Sequence, residues 1–190
     1  MPSAVILAAG ASRRMGSPKA LLPYGDDCLL GAHIAVLSRH VSEVYVVGGA
    51  LFEELLASCE LHGARLIRNS AWETTMPIDS LRHALSHDIS APCVVTPVDT
   101  PPVSDSDLKR LLAHPGGAVL SYQGRSGHPV VLGEKEIAAV CGSAVGGASQ
   151  VSRQGLRDIV AGLDRLESVS DACLLNFNTP EDWGGWRGDS

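Results

Sequence analysis

Short strand-like runs and helix-length stretches alternate through the first hundred residues, and no other feature narrows the possible folds as far. The runs are Ala4–Leu7, Glu43–Val47, Ala64–Arg68 and Cys93–Val98. Each is too short for a helix and rich in aliphatic side chains, as strands buried on both faces are. Between them, Cys28–Arg39 carries Leu29, Leu30, Ile34 and Leu37 at helical spacing, and Leu51–Glu60 and Asp79–Ser86 read as further helices. Ser104–Ala113 opens with a capping serine and the acids Asp105 and Asp107, followed by Leu108, Leu111 and Leu112, which is how a helix start is written. Strands alternating with helices predict an α/β fold with a mostly parallel sheet flanked by helices, because parallel neighbours need a crossover between them.

The pattern changes after Ala118. Ala118–Tyr122 and Pro129–Leu132 read as strands joined by "QGRSGH", a connection that suits a hairpin or a crossover. Cys141–Gly155 is small and polar, as a loop over a site would be. Gln154–Ala161 reads as a helix and Leu166–Val169 as a strand. With 190 residues and no internal repeat or dividing linker, residues 1–183 are expected to form one domain. The ending "WGGWRGDS" lacks periodicity, so residues 184–190 are expected to fray as a tail, with Arg187-Gly188-Asp189 a chance triplet.

Charge and cysteine usage exclude several classes. The net charge is −6, which argues against a general nucleic-acid binder. No apolar run approaches the ~20 residues of a membrane span, and no secretory leader pattern opens the chain. Five cysteines, Cys28, Cys59, Cys93, Cys141 and Cys173, are widely spaced without a C-x-x-C pair. That pattern reads as reduced thiols in a cytoplasmic protein rather than as a zinc site or a disulfide framework.

The first strand runs into "LAAGASRRMGSPKALLPYG", Leu7 to Gly25. In a doubly wound sheet, ligands lie at the carboxyl ends of the strands near the topological switch point. Ala8, Ala9, Gly10 and Ala11 let the backbone approach a ligand closely, and free N–H groups in such a loop favour anions. Arg13, Arg14 and Lys19 add positive charge, in a chain whose other lysines are only Lys109 and Lys135. The combination points to a polyphosphate. Gly10 and Gly16 have P-loop spacing, but Ser17-Pro18 follow where a lysine and hydroxyl residue belong, and G-x-G-x-x-G is absent.

The pattern that fits is L-A-A-G-x-S-x-R-M-G-x-x-K-x-L-L. It resembles the signature of the MobA-like NTP transferases, the molybdenum-cofactor guanylyl- and cytidylyltransferases and their relatives. The resemblance implies a Rossmann-like three-layer α/β/α nucleotidyltransferase fold. It also implies a nucleotide site at Leu7, Ala8, Ala9, Gly10, Ser12, Arg13, Arg14, Gly16 and Lys19. "PVDTPPV" resembles the family's D-M-P motif with Thr100 in place of methionine, so Asp99 inherits a Mg²⁺-binding role. "GHPVVL" resembles the G-H-P motif of molybdopterin-handling members and makes His128 an acceptor-binding candidate. "NFNTPEDW" resembles the closing segment that brings a second Mg²⁺ ligand, Asn178 first and Asn176 next. The same stretch also reads as a helix start, with Thr179 capping and Pro180 at the first position.

Two segments depart from the family pattern. "NSAWETTMPIDSL" keeps Asn69, Trp72, Met76 and Ser80 around the nucleotide base, but Thr75 replaces glycine and one residue is inserted after Met76. "SRQGLRDIV" keeps Gly155 and the acceptor-side Arg157, but Arg153 stands where an aspartate is expected. The expected chemistry is Mg²⁺-dependent transfer of a nucleoside monophosphate to the phosphate of a molybdopterin-type acceptor. Arg14, Lys19 and Asp99 are its catalytic residues, and pyrophosphate leaves. Ala9 in a position where guanylyltransferases more often have glycine favours CTP over GTP. The alternatives are a nucleotidyltransferase for a sugar phosphate or other small phosphorylated molecule, and a non-catalytic molybdenum-cofactor chaperone serving a molybdoenzyme client.

Overall fold

The computed structural model describes residues 1–87, 89–142 and 156–186. Strand β1 (Ser3–Ala8) enters the long loop, which closes in a 3-10 turn (Lys19–Leu21) and a two-stranded ribbon of β2 (Pro23–Tyr24) and β3 (Asp27–Cys28). Helix α1 (Leu29–Ser38), β4 (Glu43–Gly48), α2 (Phe52–Ser58), β5 (Arg65–Arg68), α3 (Pro77–Leu85), β6 (Cys93–Pro97) and α4 (Asp105–Leu112) follow in strict alternation. Then come β7 (Ala118–Tyr122), β8 (Arg125–Leu132), α5 (Glu134–Gly142), α6 (Leu156–Ala161), β9 (Asp164–Glu167) and α7 (Pro180–Gly185).

The main sheet has the order β5-β4-β1-β6-β8-β7-β9. β5, β4, β1 and β6 are parallel, β8 is antiparallel to both its neighbours, and β7 pairs with β9 in parallel. The chain builds outward from β1 through β4 to β5, then returns to lay β6 on the other side of β1. The switch point therefore lies between the carboxyl ends of β1 and β6, which opens a crevice beside the glycine loop.

Side chains of β1 alternate between the two faces, as period-two geometry demands. Ala4, Ile6 and Ala8 join a core with Leu30, Ile34 and Leu37 of α1, Leu55 of α2, and Leu108 and Leu111 of α4. Val5 faces the opposite layer, with Ile78, Leu81 and Ala84 of α3 and Val140 of α5. The result is helix, sheet and helix in three layers. Leu30, Ile34, Leu81 and Leu111 are fully buried, each contributing about 1.5–3 kcal/mol by leaving water.

The "QGRSGH" connection resolves as a hairpin. Only Gln123 and Gly124 form the turn, both with positive φ (49° and 76°), and Arg125 already pairs with Tyr122. Two left-handed residues match the natural twist of the strands they join. Helix α5 has no counterpart in the sequence reading. Its start is marked by Gly133 N–H donating to Glu136 Oε2 at 3.0 Å, and its small alanines hide the helical period. Cys141 and Gly142 end this helix rather than begin a loop. Residues 143–155 and 187–190 lie outside the described residues.

The chain's ending also corrects the expectation of a frayed tail, for Gly184–Trp186. Thr179 Oγ1 accepts from Asp182 N–H at 3.2 Å, Pro180 takes the first helical position, and α7 runs to Gly185. Trp186 then stacks on Tyr24 at 5.4 Å between ring centroids and lies 5.2 Å from Phe177. Aromatic burial, worth about 0.5–1.5 kcal/mol per pair beyond area, holds what periodicity alone could not announce.

Candidate active site

The ends of β1, β4, β5 and β6 fasten one another around the switch point. Val98 N–H donates to the Leu7 carbonyl at 3.0 Å, Ala50 N–H to Ala9 O at 3.2 Å, and Asn69 N–H to Gly48 O at 2.8 Å. Gly49 permits this contact, because a Cβ there would stand 2.5 Å from Ala9 O and 2.7 Å from Trp72 Cβ. Gly10 is the opposite case: a Cβ would meet no protein atom within 4 Å. Its backbone faces open space where a ligand can come close.

Beyond Gly10 the loop is held by its own hydrogen bonds. Ser12 adopts φ 51° and Gly16 φ 73°. Ser12 O accepts from Met15 N–H at 3.0 Å, and Ser12 Oγ accepts from Lys19 N–H at 3.1 Å. Underneath, Met15 packs with Leu22, Leu29 and Phe177. The apolar underside fixes the loop while its polar rim stays free. Arg13 and Arg14 are exposed on that rim, and no ion pair or hydrogen bond of either side chain occurs among the described residues.

The 3-10 turn aims Lys19 inward. Its Nζ donates to Asp99 Oδ2 at 2.8 Å and to Asn178 Oδ1 at 2.9 Å. One side chain from the first loop, one from the end of β6 and one from the entry to α7 thus converge on a single cationic centre. Asp99 is anchored through its carbonyl, which accepts from Phe177 N–H at 2.7 Å. Asn178 is set by Asp182, whose Oδ2 accepts the N–H of both Asn178 and Thr179 at 2.9 Å. Those two backbone donors hold the Asp182 carboxyl below its ordinary value.

Thr100, the residue in place of the family's methionine, is buried with both polar groups satisfied. Its hydroxyl donates to Pro97 O at 3.0 Å, and its carbonyl accepts from His33 Nε2–H at 2.8 Å. Burial pushes the His33 imidazole down to about 4, so at neutral pH it is an uncharged donor beneath the Asp99 turn. Among the histidines no ligand spacing singles out His33; only the packing of α1 against the β6 end reveals it.

A cleft of about 1120 Å³ opens over these residues. Leu7, Ala8, Ala9, Gly10, Ser12, Lys19 and Asp99 line the end beside the glycine loop, and Thr75 and Ser80 line a side wall. His128, Arg157 and Asn176 line the rest, with Arg165 beside them, a residue with no sequence signal of its own. Burial of the His128 ring lowers its basicity, and its Nδ1 has no hydrogen-bond partner. A buried polar atom left open at a cleft wall is suited to a ligand. Arg153 and Gly155 fall outside the described residues.

Of the two expected base contacts, Ser80 lines the cleft, while Asn69 turns inward to it. Asn69 is buried and donates through Nδ2 to Thr75 Oγ1 and to Ser80 Oγ, both at 3.0 Å. Thr75 in the glycine position therefore ties the loop shut with a bond glycine could not make. Asp79 caps α3, accepting from Met76 N–H at 2.9 Å and pairing with Arg82 at 2.8 Å.

The Asp99 and Asn178 oxygens suit a hard divalent cation. Mg²⁺ characteristically takes one or two protein oxygens and completes its shell with water and phosphate. The Lys19 ammonium already shows that the two oxygens can share one positive centre. No group of three or more His, Cys, Asp or Glu side chains suited to a metal occurs among the described residues.

The MobA-like NTP transferase domain matches residues 4–169. The chain belongs to that family. The nicotine blue oxidoreductase of Paenarthrobacter nicotinovorans is 34% identical over 145 residues, 67% of this chain and 69% of that protein. A "probable molybdenum cofactor guanylyltransferase" of Rhodopirellula baltica is 34% identical over 111 residues, 57% of this chain and 53% of its own length. Among solved structures, the Mycobacterium sp. strain JC1 homologue of Mycobacterium tuberculosis Rv0371c superposes with a TM-score of 0.76 at 28% identity, over 97% of this chain and 93% of that one. This MobA-like chain has no described helix long and apolar enough to cross a membrane.

Proposed function

We infer that the protein transfers a nucleoside monophosphate from an NTP to the phosphate of a molybdopterin-type acceptor, with release of pyrophosphate. The observation that carries this reading is the convergence of Lys19, Asp99 and Asn178 at the switch point, next to the open backbone at Gly10. The NTP phosphates lie along Gly10–Gly16, where backbone N–H groups and Arg13 and Arg14 meet their charge. Asp99 and Asn178 would hold Mg²⁺, which when bound supplies charge neutralisation at the phosphates. Lys19 stabilises the charge that develops as the α-phosphorus changes partners. An ionised phosphate acceptor needs no general base, so Arg157 and His128 act by orienting it.

CTP is the donor in this reading, because the Ala9 side chain narrows the space beside the base. The guanylyltransferase relative supports GTP instead. The test is pyrophosphate release with Mg²⁺ and molybdopterin cofactor, comparing CTP, GTP, ATP and UTP. Release with CTP supports the full reading, and release with GTP alone keeps the reaction and replaces the base. Release that requires a sugar phosphate changes the acceptor, while cofactor binding with no release from any NTP points to a chaperone. The relative named as an oxidoreductase favours one second reading, redox chemistry in the same cleft. Oxidation of a reduced nicotinamide nucleotide without pyrophosphate release would support it.

A further inference from the structure

No disulfide joins any of the five cysteines, yet two of them are in contact. Cys28 Sγ and Cys59 Sγ lie 3.3 Å apart, from residues 31 positions distant in sequence. Cys28 is the N-cap of α1, where its sulfur accepts from Gly31 N–H at 3.4 Å. Cys59 caps the other end of the layer, at the C-terminus of α2. Cys28 is half-buried and reachable from solvent, whereas Cys59 is buried behind it. We propose that Cys28 and Cys59 form an oxidant-reactive dithiol, in which Cys28 is the attacking thiol toward hydroperoxides and Cys59 resolves the product as an intramolecular disulfide.

The arrangement meets each requirement of that chemistry. The attacking sulfur sits at a helix N-terminus, where partial positive charge favours a thiolate. With Cys28 as the thiolate, the hydrogen between the sulfurs belongs to Cys59; that bond and the Gly31 N–H hold the Cys28 thiol down to about 7 against its burial and the adjacent Asp27 carboxylate, while Cys59 is pushed up. The Cys28 thiolate attacks one peroxide oxygen; the O–O bond breaks, Cys28 becomes a sulfenic acid, and the departing hydroxide takes the thiol's proton as water. The Cys59 sulfur then attacks the Cys28 sulfur; the S–S bond forms, the S–O bond breaks, and hydroxide leaves with the Cys59 proton as a second water. Each sulfur gives up one electron and the peroxide accepts two. Closure asks the sulfurs to approach by about 1.2 Å from their present contact to reach disulfide bond length.

No metal accounts for the contact, because the described residues hold no three-ligand group. Cys93 and Cys173 are buried with thiols raised by burial, and Cys141 is exposed. Cys141 therefore serves as an internal comparison for simple accessibility.

The test treats the full-length, reduced protein with equimolar to excess hydrogen peroxide, alkylates remaining thiols with iodoacetamide, and maps tryptic peptides by mass spectrometry. The expected product joins peptide Ala20–Arg39 to peptide His40–Arg65, with Cys141 still alkylated. In Cys59→Ser, Cys28 is expected to stop as a sulfenic acid captured by dimedone, with no joined peptide. In Cys59→Ala, the pH midpoint of Cys28 alkylation is expected to rise, because the S–H donor is gone. A circular dichroism spectrum like that of the wild type establishes that each variant is folded. Oxidation that falls first on Cys141, or a Cys28 sulfenic acid that persists in the wild type without linking to Cys59, overturns the proposal.

Discussion

Lys19 and Asp99 form a 2.8 Å ion pair across 80 residues of chain, and the side chains are 14% and 25% exposed. Neither residue is held by its neighbours in sequence alone. The pair exists because the loop after β1 and the turn after β6 are adjacent at the switch point, and it organises the polar floor of the cleft. Asn178 joins it through the same ammonium.

Lys19→Ala is expected to lower pyrophosphate release ~100-fold or more, the usual scale for a removed charge-stabilising group. Lys19→Arg is not expected to restore it, since a planar fork cannot reproduce a compact ammonium between two oxygens. An unchanged rate in Lys19→Ala would remove Lys19 from the mechanism.

Asp99→Asn keeps the shape of the turn and deletes its carboxylate. Turnover should fall ~100-fold or more, as expected when an electrostatic anchor is lost. The Mg²⁺ concentration for half-maximal rate should rise. Metal titration of the variant decides whether Asp99 acts through a cation or only through Lys19: a metal dependence identical to wild type assigns it to Lys19.

Gly10→Ala and Gly49→Ala should separate ligand space from fold space. A methyl at Gly49 collides with the Ala9 backbone and Trp72, so that variant should lose about 1–3 kcal/mol of stability, the cost of overpacking. A methyl at Gly10 meets no protein atom. Gly10→Ala should therefore melt like the wild type yet bind NTP less tightly. Thermal unfolding and nucleotide titration of both variants check the contrast.

His33 makes stability depend on pH. Burial holds its folded value at about 4, against 6.5 for the free side chain. The unfolded chain takes up a proton between these values and the folded chain does not. The His33 contribution is thus complete above pH 6.5, declines as pH falls toward 4, and levels off below, a total of about 3 kcal/mol. Denaturant melts from pH 7.5 to 4 should show this slope in the wild type. His33→Gln, which can still donate to the Thr100 carbonyl without titrating, should be flatter over the same range.

Much was legible in the sequence because it depends on neighbours along the chain. Helical spacing placed α1, α3 and α4 within a residue or two of their observed bounds. Ser104 and Thr179 cap their helices as their positions imply, with hydroxyls accepting from Asp107 and Asp182 N–H. The glycine-loop pattern, Asp99 after an apolar strand and the Asn178 segment were each readable from a few adjacent residues. The helices and caps rest on backbone dihedrals, capping bonds and periodicity, which are local physics, whereas the roles expected of the glycine loop and Asn178 came from the family resemblance.

Tertiary structure alone decided what those pieces do together. It set β8 antiparallel within a mostly parallel sheet, stacked Trp186 on Tyr24, and turned Asn69 inward to Thr75 and Ser80. It also joined Lys19 to Asn178 across 159 positions and brought Cys28 against Cys59. These arrangements follow from strand order and from which faces exclude water, and apart from the turn of Asn69 they join residues far apart in the chain. A motif names a residue's chemistry; the order of strands in the sheet determines which other residues that chemistry reaches.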